Sequence, residues 1–198
     1  ARVAVALARR APAERRAGVR IDVPVDLRRH GAGADSTANL TGLLRVPVGV
    51  LLQGDDPVLA TRTWIAQALA EHREAAFPLD TDPVRWLPLG LVAALGRRGA
   101  AQALREARFS ATATVSNLGV LPLHRLAAPG FAPTRGFFIP PGSPGLPLFL
   151  TLCGDSSGVT LCGSAPLGLA DGGRLEALLR DLVTSVDASR PPARGALP

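Results

Sequence analysis

The sequence predicts an α+β domain in which helices pack on a mixed β-sheet. Polar and apolar residues alternate from Val19 to Asp26 and again from Arg108 to Asn117, which is typical of half-buried strands. Leucine and valine recur at helical spacing after Asp171, which predicts an amphipathic helix. The 198 residues are 47% hydrophobic, which suits one globular domain and argues against a mainly disordered chain.

The N-terminal elements are a helix end and two strands. Ala1 to Arg16 is rich in alanine and arginine and predicts the last turns of a helix. Pro24 lies within the first alternating run, so this strand is expected to be an edge strand or to carry a bulge. Residues 28 to 39 are glycines and polar residues, typical of a loop. Leu40 to Leu52 predicts a second strand, interrupted near Pro47.

Two helices are predicted in the middle of the chain. Asp56 followed by Pro57 is a helix-start pattern, with the aspartate as N-cap and the proline in the first turn. This helix is expected to run to about Ala76. Residues 86 to 106 also have a helical composition, and we expect the glycines at positions 96 and 99 to break this second helix.

The C-terminal third predicts a hairpin and a closing helix. Residues 129 to 147 are rich in proline and glycine, so a loop is expected there. Two apolar runs, 148–153 and 159–164, flank a Gly-Asp-Ser-Ser-Gly turn and predict a β-hairpin. Asp171 is expected to cap the closing helix, with its Leu and Val residues facing inward.

Composition excludes several classes of protein. All 22 basic residues are arginine and the net charge is +6, but aromatic residues make up only 4%, which argues for diffuse solvated charge and against nucleic-acid binding. No apolar run approaches the roughly 20 residues of a membrane span, and no signal peptide is present, so we expect a cytoplasmic protein. Cys153 and Cys162 are expected to be buried free thiols. Neither a further cysteine nor a suitably spaced histidine accompanies them, so no metal site is predicted.

The start of the chain is expected to lie inside an element. The chain contains no methionine, and the residues after Ala1 already have helical spacing. A proteolytic or engineered piece, or one part of a larger polypeptide, would explain this, although removal of an initiator methionine would also leave none. We expect residues 1–190 to form one subdomain and residues 191–198 a disordered tail.

Four short motifs follow one another along the chain. Residues 23–28 are VPVDLR, residues 39–42 are NLTG, residues 72–78 are HREAAFP and residues 115–119 are VSNLG. In order and spacing they resemble motifs of the C-terminal half of the chloramphenicol-acetyltransferase-like superfamily. That superfamily includes peptide-synthetase condensation domains and polyketide-associated alcohol acyltransferases.

The resemblance implies a fold and an activity. The fold would be the C-terminal subdomain of that superfamily. The activity would be transfer of an acyl group from a coenzyme A or carrier-protein thioester to an alcohol or amine, in secondary-metabolite or lipid biosynthesis, with no bound cofactor. The partners would be the N-terminal half and an acyl or peptidyl carrier protein. Two alternatives stay open: a non-catalytic relative that binds a carrier protein or completes a partner chain, and a chance match by an unrelated α+β domain.

By the same resemblance, two groups of residues form the site. Arg28, with Asp26, would support the active site by pairing with the motif aspartate of the missing half, the alternative being a surface arginine. The substrate channel would be lined by polar residues and glycines of two motifs: Asn39, Gly42, Ser116, Asn117 and Gly119. For the asparagines, turn formation is an alternative explanation of the residue type.

The chain departs from the family where the catalytic base should be. The superfamily carries His-His-x-x-x-Asp, and this sequence contains no such string. His30 has the wrong spacing to the next aspartate, His72 is predicted at a helix end, and His124 is expected to be exposed. A transferase needs a base within hydrogen-bond reach of the attacking group. We therefore predict that no catalytic residue lies in this chain.

Overall fold

A five-stranded mixed β-sheet forms the centre of the computed structural model. The structure describes residues 1–30, 40–74, 86–106, 108–142, 145–155 and 157–188, without the side chains of Arg29 and His30. The fold is α+β, as the sequence predicts. Asn39, Ala76 and the predicted tail lie outside the described residues.

The sheet consists of two antiparallel hairpins joined through a parallel centre. Its strand order is β2-β1-β3-β4-β5. β1 pairs antiparallel with β2 and β4 pairs antiparallel with β5, whereas β3 is parallel to both β1 and β4. The strands are β1 Ile21–Asp26, β2 Thr41–Val46, β3 Ala113–Val120, β4 Phe149–Asp155 and β5 Gly158–Ser164.

The described part of the chain contains seven α-helices. They are α1 Arg2–Arg9, α2 Ala13–Arg16, α3 Val48–Leu51, α4 Pro57–Ala70, α5 Leu89–Glu106, α6 Leu167–Ala170 and α7 Arg174–Ala188. Two 3-10 helices, Leu27–His30 and Leu123–Leu126, follow β1 and β3. Among the described helices, none combines the length and apolarity that crossing a bilayer requires.

The hydrophobic core lies between one face of the sheet and helices α1 and α7. Burial of each large side chain there is worth roughly 1.5–3 kcal/mol. Arg10, just after α1, also forms an ion pair with Asp181 of α7, which joins the two helices at the surface. Val183 of α7 is exposed, contrary to its predicted inward position. The fully buried core residues include Ala8, Ile21, Val48, Ala113, Leu150 and Leu182.

The prediction of an edge strand from Pro24 is wrong, because β1 lies between β2 and β3. Its pairing with β3 covers only Ile21 and Asp22, so that pairing has ended before the proline. A proline has no N–H to donate to a sheet. It is therefore tolerated inside this strand, beyond the part that pairs on both sides.

The predicted strand from Leu40 to Leu52 is wrong in its second half. β2 ends at Val46, and Val48–Leu51 forms helix α3. A Cβ on Gly49 would lie 1.9 Å from the backbone oxygen of Arg16, so only glycine allows α3 to approach α2 this closely. The apolar run thus continues through a change from strand to helix.

The two middle helices also differ from prediction. The helix predicted to reach Ala76 ends at Ala70, where the N–H groups of His72 and Arg73 donate to the carbonyls of Leu69 and Ala68 in a Schellman-type turn. His72 has φ 55°, the left-handed conformation of such a turn. Helix α5 is not broken at its glycines, because each costs a helix only about 1 kcal/mol.

The strand predicted from Arg108 begins at Ala113 and extends past Asn117 to Val120. Asp171 does not cap the closing helix: α7 begins at Arg174, whose guanidinium pairs with the Asp171 carboxylate. The predicted hairpin is confirmed as β4–β5.

Candidate functional site

Residues of three motifs lie at one end of the sheet. β1 and β3 are parallel, so their carboxyl ends share that end, and β2 begins there because it is antiparallel to β1. Asp26, Gly42, Ser116, Asn117 and Gly119 therefore occupy the same end of the sheet, which we call the strand-end face. The sheet topology brings together residues that are about ninety positions apart in the sequence.

The strands separate at the strand-end face. β1 pairs with β3 only at Ile21 and Asp22, whereas β1 stays paired with β2 as far as Asp26 and β3 stays paired with β4 as far as Val120. The backbones of β1 and β3 thus diverge toward their carboxyl ends. Ligands of sheets with parallel strands commonly bind outside such diverging carboxyl ends.

Arg28 and Asp26 form a local pair at this face. The Asp26 Oδ1 atom accepts hydrogen bonds from the backbone N–H and the Nη1 of Arg28, both at 3.0 Å. The backbone hydrogen bond, followed by the guanidinium, holds the pKa of Asp26 below its ordinary value. The pair is partly exposed.

Gly42 brings a fourth motif to the strand-end face. A Cβ on Gly42 would lie 2.8 Å from the backbone oxygen of Glu74 and 2.9 Å from Cδ2 of Leu27. Glu74 follows helix α4 and is buried. The HREAAFP and NLTG motifs therefore meet in space. Sequence reasoning missed the burial of Glu74; its place in a motif was the available signal.

We expect Gly42→Ala to lower the free energy of unfolding by about 2 kcal/mol, since its Cβ would overlap a backbone oxygen that cannot move alone. Gly99→Ala in helix α5 is the matched control, because nothing lies within 4 Å of its added Cβ. The control should stabilise the protein by about 0.5–1 kcal/mol. Urea unfolding of both variants checks this, and equal stability of the two variants would contradict the packing at Gly42.

The VSNLG motif forms a bulge in β3. Asn117 Oδ1 accepts a hydrogen bond from the Gly119 N–H at 3.0 Å, Gly119 has φ +68°, and the register with β4 shifts between Asn117 and Val120. Asn117 therefore has the turn role that was one of its two expected roles. Ser116 is half-buried and lies opposite Thr151. Channel lining by these residues stays a prediction.

The structure describes the side chains of two of the three histidines, His72 and His124. His30 ends the 3-10 helix after β1, not a loop as predicted. His72 and His124 are exposed, and His124 makes no side-chain hydrogen bond to any described residue. An efficient general base is normally oriented by a second group. The prediction that the base lies elsewhere is compatible with this arrangement.

Asp155 lies at the end of β4 and accepts hydrogen bonds from Ser157. Its Oδ1 atom receives the Ser157 hydroxyl at 2.5 Å and the Ser157 N–H at 2.8 Å. The hydroxyl bond, followed by the N–H bond, lowers the pKa of Asp155 from its ordinary value of 3.8. The carboxylate thus stabilises the β4–β5 turn in its ionised form.

We expect the stability of the protein to fall as pH drops below about 4. The pKa values of Asp26 and Asp155 are lowered by folding, so their contribution is present above the ordinary value of 3.8 and is lost as pH falls through the folded values. Urea unfolding between about pH 6 and pH 3, the range in which carboxylates titrate, gives the slope of unfolding free energy against pH. Asp155→Asn should reduce it, and an unchanged slope would contradict the role of Asp155.

The sheet face opposite the core carries buried polar side chains. Asp22 of β1 is buried and forms a two-pronged ion pair with Arg45 of β2, Nε to Oδ1 at 2.9 Å and Nη2 to Oδ2 at 3.0 Å. This pair raises the pKa of Arg45. Thr114 and Thr151, on the same face, are also buried. Alternation along β1 and β3 indicates one buried face and does not show what covers the other face.

A Pro- and Gly-rich segment, 136–141, covers part of this polar face; we call it the strap. The Thr151 hydroxyl donates to the Phe138 carbonyl at 2.5 Å, and the Cys153 Sγ donates to the Gly136 carbonyl at 3.6 Å. The Ser164 hydroxyl donates to the Pro141 carbonyl at 3.3 Å. The strap is thus attached by side chains of β4 and β5.

Both cysteines are free, as predicted, although only Cys153 is fully buried. Cys153 lies opposite Thr160 and Cys162 opposite Thr151, so the cysteines are diagonal neighbours in the hairpin, too far apart for a relaxed disulfide. Burial raises the pKa of the Cys162 thiol. Within the described ranges, no cluster of three or more His, Cys, Asp or Glu side chains could hold a metal ion.

Comparisons with protein-family models, with curated proteins and with solved structures find no significant match to this chain.

Proposed function

We propose that the chain is the C-terminal half of a two-part acyltransferase of the chloramphenicol-acetyltransferase-like type. The base-bearing half would come from the same polypeptide or from a separate chain. An acceptor alcohol or amine attacks the thioester carbonyl, its proton passes to the base of the other half, and the thiol departs as the C–S bond breaks. This chain supplies one wall of the site and the positioning residue Arg28.

The observation that carries the proposal is the meeting of the four motifs at one end of the sheet. Asp26, Gly42 and Asn117 lie on the strand-end face, and Glu74 packs against Gly42. A chance set of motifs has no reason to converge at the place where parallel strands diverge. Each motif also has a local role there: an ion pair, a close approach or a bulge.

Exposed apolar residues beside this face support a partner. Leu118 and Val120 are exposed at the end of β3, and Phe137, Phe138 and Ile139 are exposed on the strap. Apolar surface of this extent usually marks an interaction site. A second half docked on these residues would close a tunnel over the strand-end face and exclude water from the reacting groups, which strengthens electrostatic interactions there.

The isolated chain is expected to show no acyl transfer, because its sequence lacks the His-His-x-x-x-Asp string that carries the base in the superfamily. The assay follows thioester loss and acceptor acylation with acyl-coenzyme A and with acyl-pantetheine. Acceptor acylation by the chain alone, abolished by His30→Ala, would show that this chain contains the base. Co-expression with a base-bearing half that carries His-His-x-x-x-Asp should give turnover only in the complex.

The same experiment distinguishes the proposed enzyme from the non-catalytic alternative. If the complex forms without turnover and the chain binds a phosphopantetheine-loaded carrier protein, the chain is a recognition module. If the chain neither joins a base-bearing half nor binds the carrier protein, the proposed function is wrong. Leu118→Ser with Val120→Ser should weaken the complex, whereas Leu59→Ser, at an exposed apolar residue in the first turn of α4, is the control away from this face.

A further inference from the structure

Helix α5, together with Trp86 and Leu87 just before it, presents an exposed apolar surface. No residue of α5 is buried, and α5 packs extensively against no other described helix or strand. Trp86 is 84% exposed and Leu89 82% exposed, and Leu91 and Leu95 are exposed as well. None of these residues belongs to the strand-end face or to the strap, so the proposed function does not use them.

The charge of helix α5 is mainly positive, and its acidic residue is the last one, Glu106. From Trp86 to Arg105 the sequence contains three arginines and no acidic residue, and the first glutamate is Glu106. At 100° per residue, Arg97, Arg98 and Arg105 fall within an arc of about 100°. The helix therefore has one basic side, which favours a partner surface that carries negative charge.

The apolar side of α5 is wide. Leu89, Leu91, Leu95 and Leu104 spread over more than half of the helix circumference. A protein groove holds a narrower stripe with i, i+3, i+4 and i+7 spacing. The acyl-chain region of a lipid bilayer is continuous and accommodates a wide apolar arc. Tryptophan next to such an arc is typical of side chains at the level of the lipid headgroups.

We propose that α5, with Trp86 and Leu87, is an interfacial helix that binds anionic lipid surfaces. The leucines and Trp86 enter the boundary between headgroups and acyl chains, and Arg97, Arg98 and Arg105 contact lipid phosphates. Basic residues near an anionic surface each contribute about 1 kcal/mol of binding, equivalent to about fivefold. The helix axis lies parallel to the surface, because Arg97 and Arg98 interrupt the apolar run at mid-helix.

The test is binding of the full chain to vesicles of phosphatidylcholine and phosphatidylglycerol in equal parts, measured by flotation. We expect binding to these vesicles and little binding to pure phosphatidylcholine, and high salt should weaken it by screening. Arg97→Glu with Arg98→Glu should lower the partition coefficient by about 30-fold or more. Arg9→Glu with Arg15→Glu makes the same charge change at exposed positions elsewhere and should bind like the unmodified chain.

The tryptophans provide a second readout. The chain contains two, and in a Trp64→Phe background the emission of Trp86 should shift to the blue when anionic vesicles are added. Leu91→Gln with Leu95→Gln should abolish the shift without changing the unfolding transition, because neither residue is buried. The proposal is wrong if the chain does not bind anionic vesicles, if both double arginine variants bind equally, or if Trp86 emission does not move.

Discussion

Replacing Arg45 with alanine is expected to lower the free energy of unfolding by about 3 kcal/mol. Asp22 lies in the interior of the sheet face with its side chain 3% exposed, and Arg45 binds both of its carboxylate oxygens. Removal of the guanidinium leaves an ionised carboxylate buried without its cation, and breaking a buried pair from one side costs about 3–5 kcal/mol. Equilibrium unfolding in urea at pH 7 measures the loss.

Substitution of Asp22, alone and together with Arg45, tests whether the lost stability comes from a buried charge left without its partner. Asp22→Ala should cost less, about 2 kcal/mol, because the Arg45 side chain is 33% exposed and its charge can reach water. The double variant should lose less than the sum of the two, since no unpaired charge remains. Arg174→Ala removes a guanidinium from an exposed pair with Asp171 and should change stability by less than about 1 kcal/mol. A loss for Arg45→Ala no larger than that of Arg174→Ala would contradict the buried pair.

Arg28→Ala is expected to reduce turnover of the two-part enzyme by about a hundredfold with little change in folding. This prediction rests on the proposed function. Arg28 lies just after β1 and is held by Asp26, and its side chain is outside the hydrophobic core. Its loss would free the loop of the base-bearing half, and a displacement of about 1 Å at the reacting groups can cost that much. The assay is steady-state transfer by the complex, with kcat and KM determined separately.

Arg28→Lys should restore activity only in part, because an ammonium lacks the planar two-pronged donor geometry that a carboxylate accepts. Asp26→Asn should have a smaller effect of the same kind, since it weakens the hydrogen bonds that orient the guanidinium. Arg29→Ala removes the same charge one residue along and should be nearly silent. Equal turnover for the Arg28 and Arg29 variants would remove Arg28 from the active-site junction.

Local sequence patterns predicted most of the elements but few of their ends. All five strands were predicted, two from the alternation of polar and apolar residues and three from short apolar runs. The helix at Val48–Leu51 was missed, since a continuous apolar run does not distinguish strand from helix, and the close approach at Gly49 is a tertiary contact. The continuity of α5 was missed because a glycine penalty of about 1 kcal/mol is too small to end a helix.

The sequence indicated which residues belong to the candidate site, but not where in the fold they come together. The pairing of β1 with β3 joins segments separated by strand β2 and helices α3, α4 and α5, and no local pattern reports which strands become neighbours. The ion pair of Asp22 with Arg45 could not be foreseen for the same reason, since it depends on the register of β1 and β2. The turn role of Asn117 was foreseen as one of two alternatives, because asparagine commonly accepts a hydrogen bond from the N–H two residues on.

The attachment of the strap has a consequence for amide hydrogen exchange. Thr151, Cys153 and Ser164 all donate to carbonyls of the strap, whereas the N–H groups of Phe137, Phe138 and Ile139 donate to no group in the described structure. Exchange reports on the N–H and not on the carbonyl. The strap should therefore exchange its amide protons rapidly even while it stays in place, beside strands β4 and β5 whose amides are protected. Slow exchange in the strap would indicate that a docked partner accepts these donors.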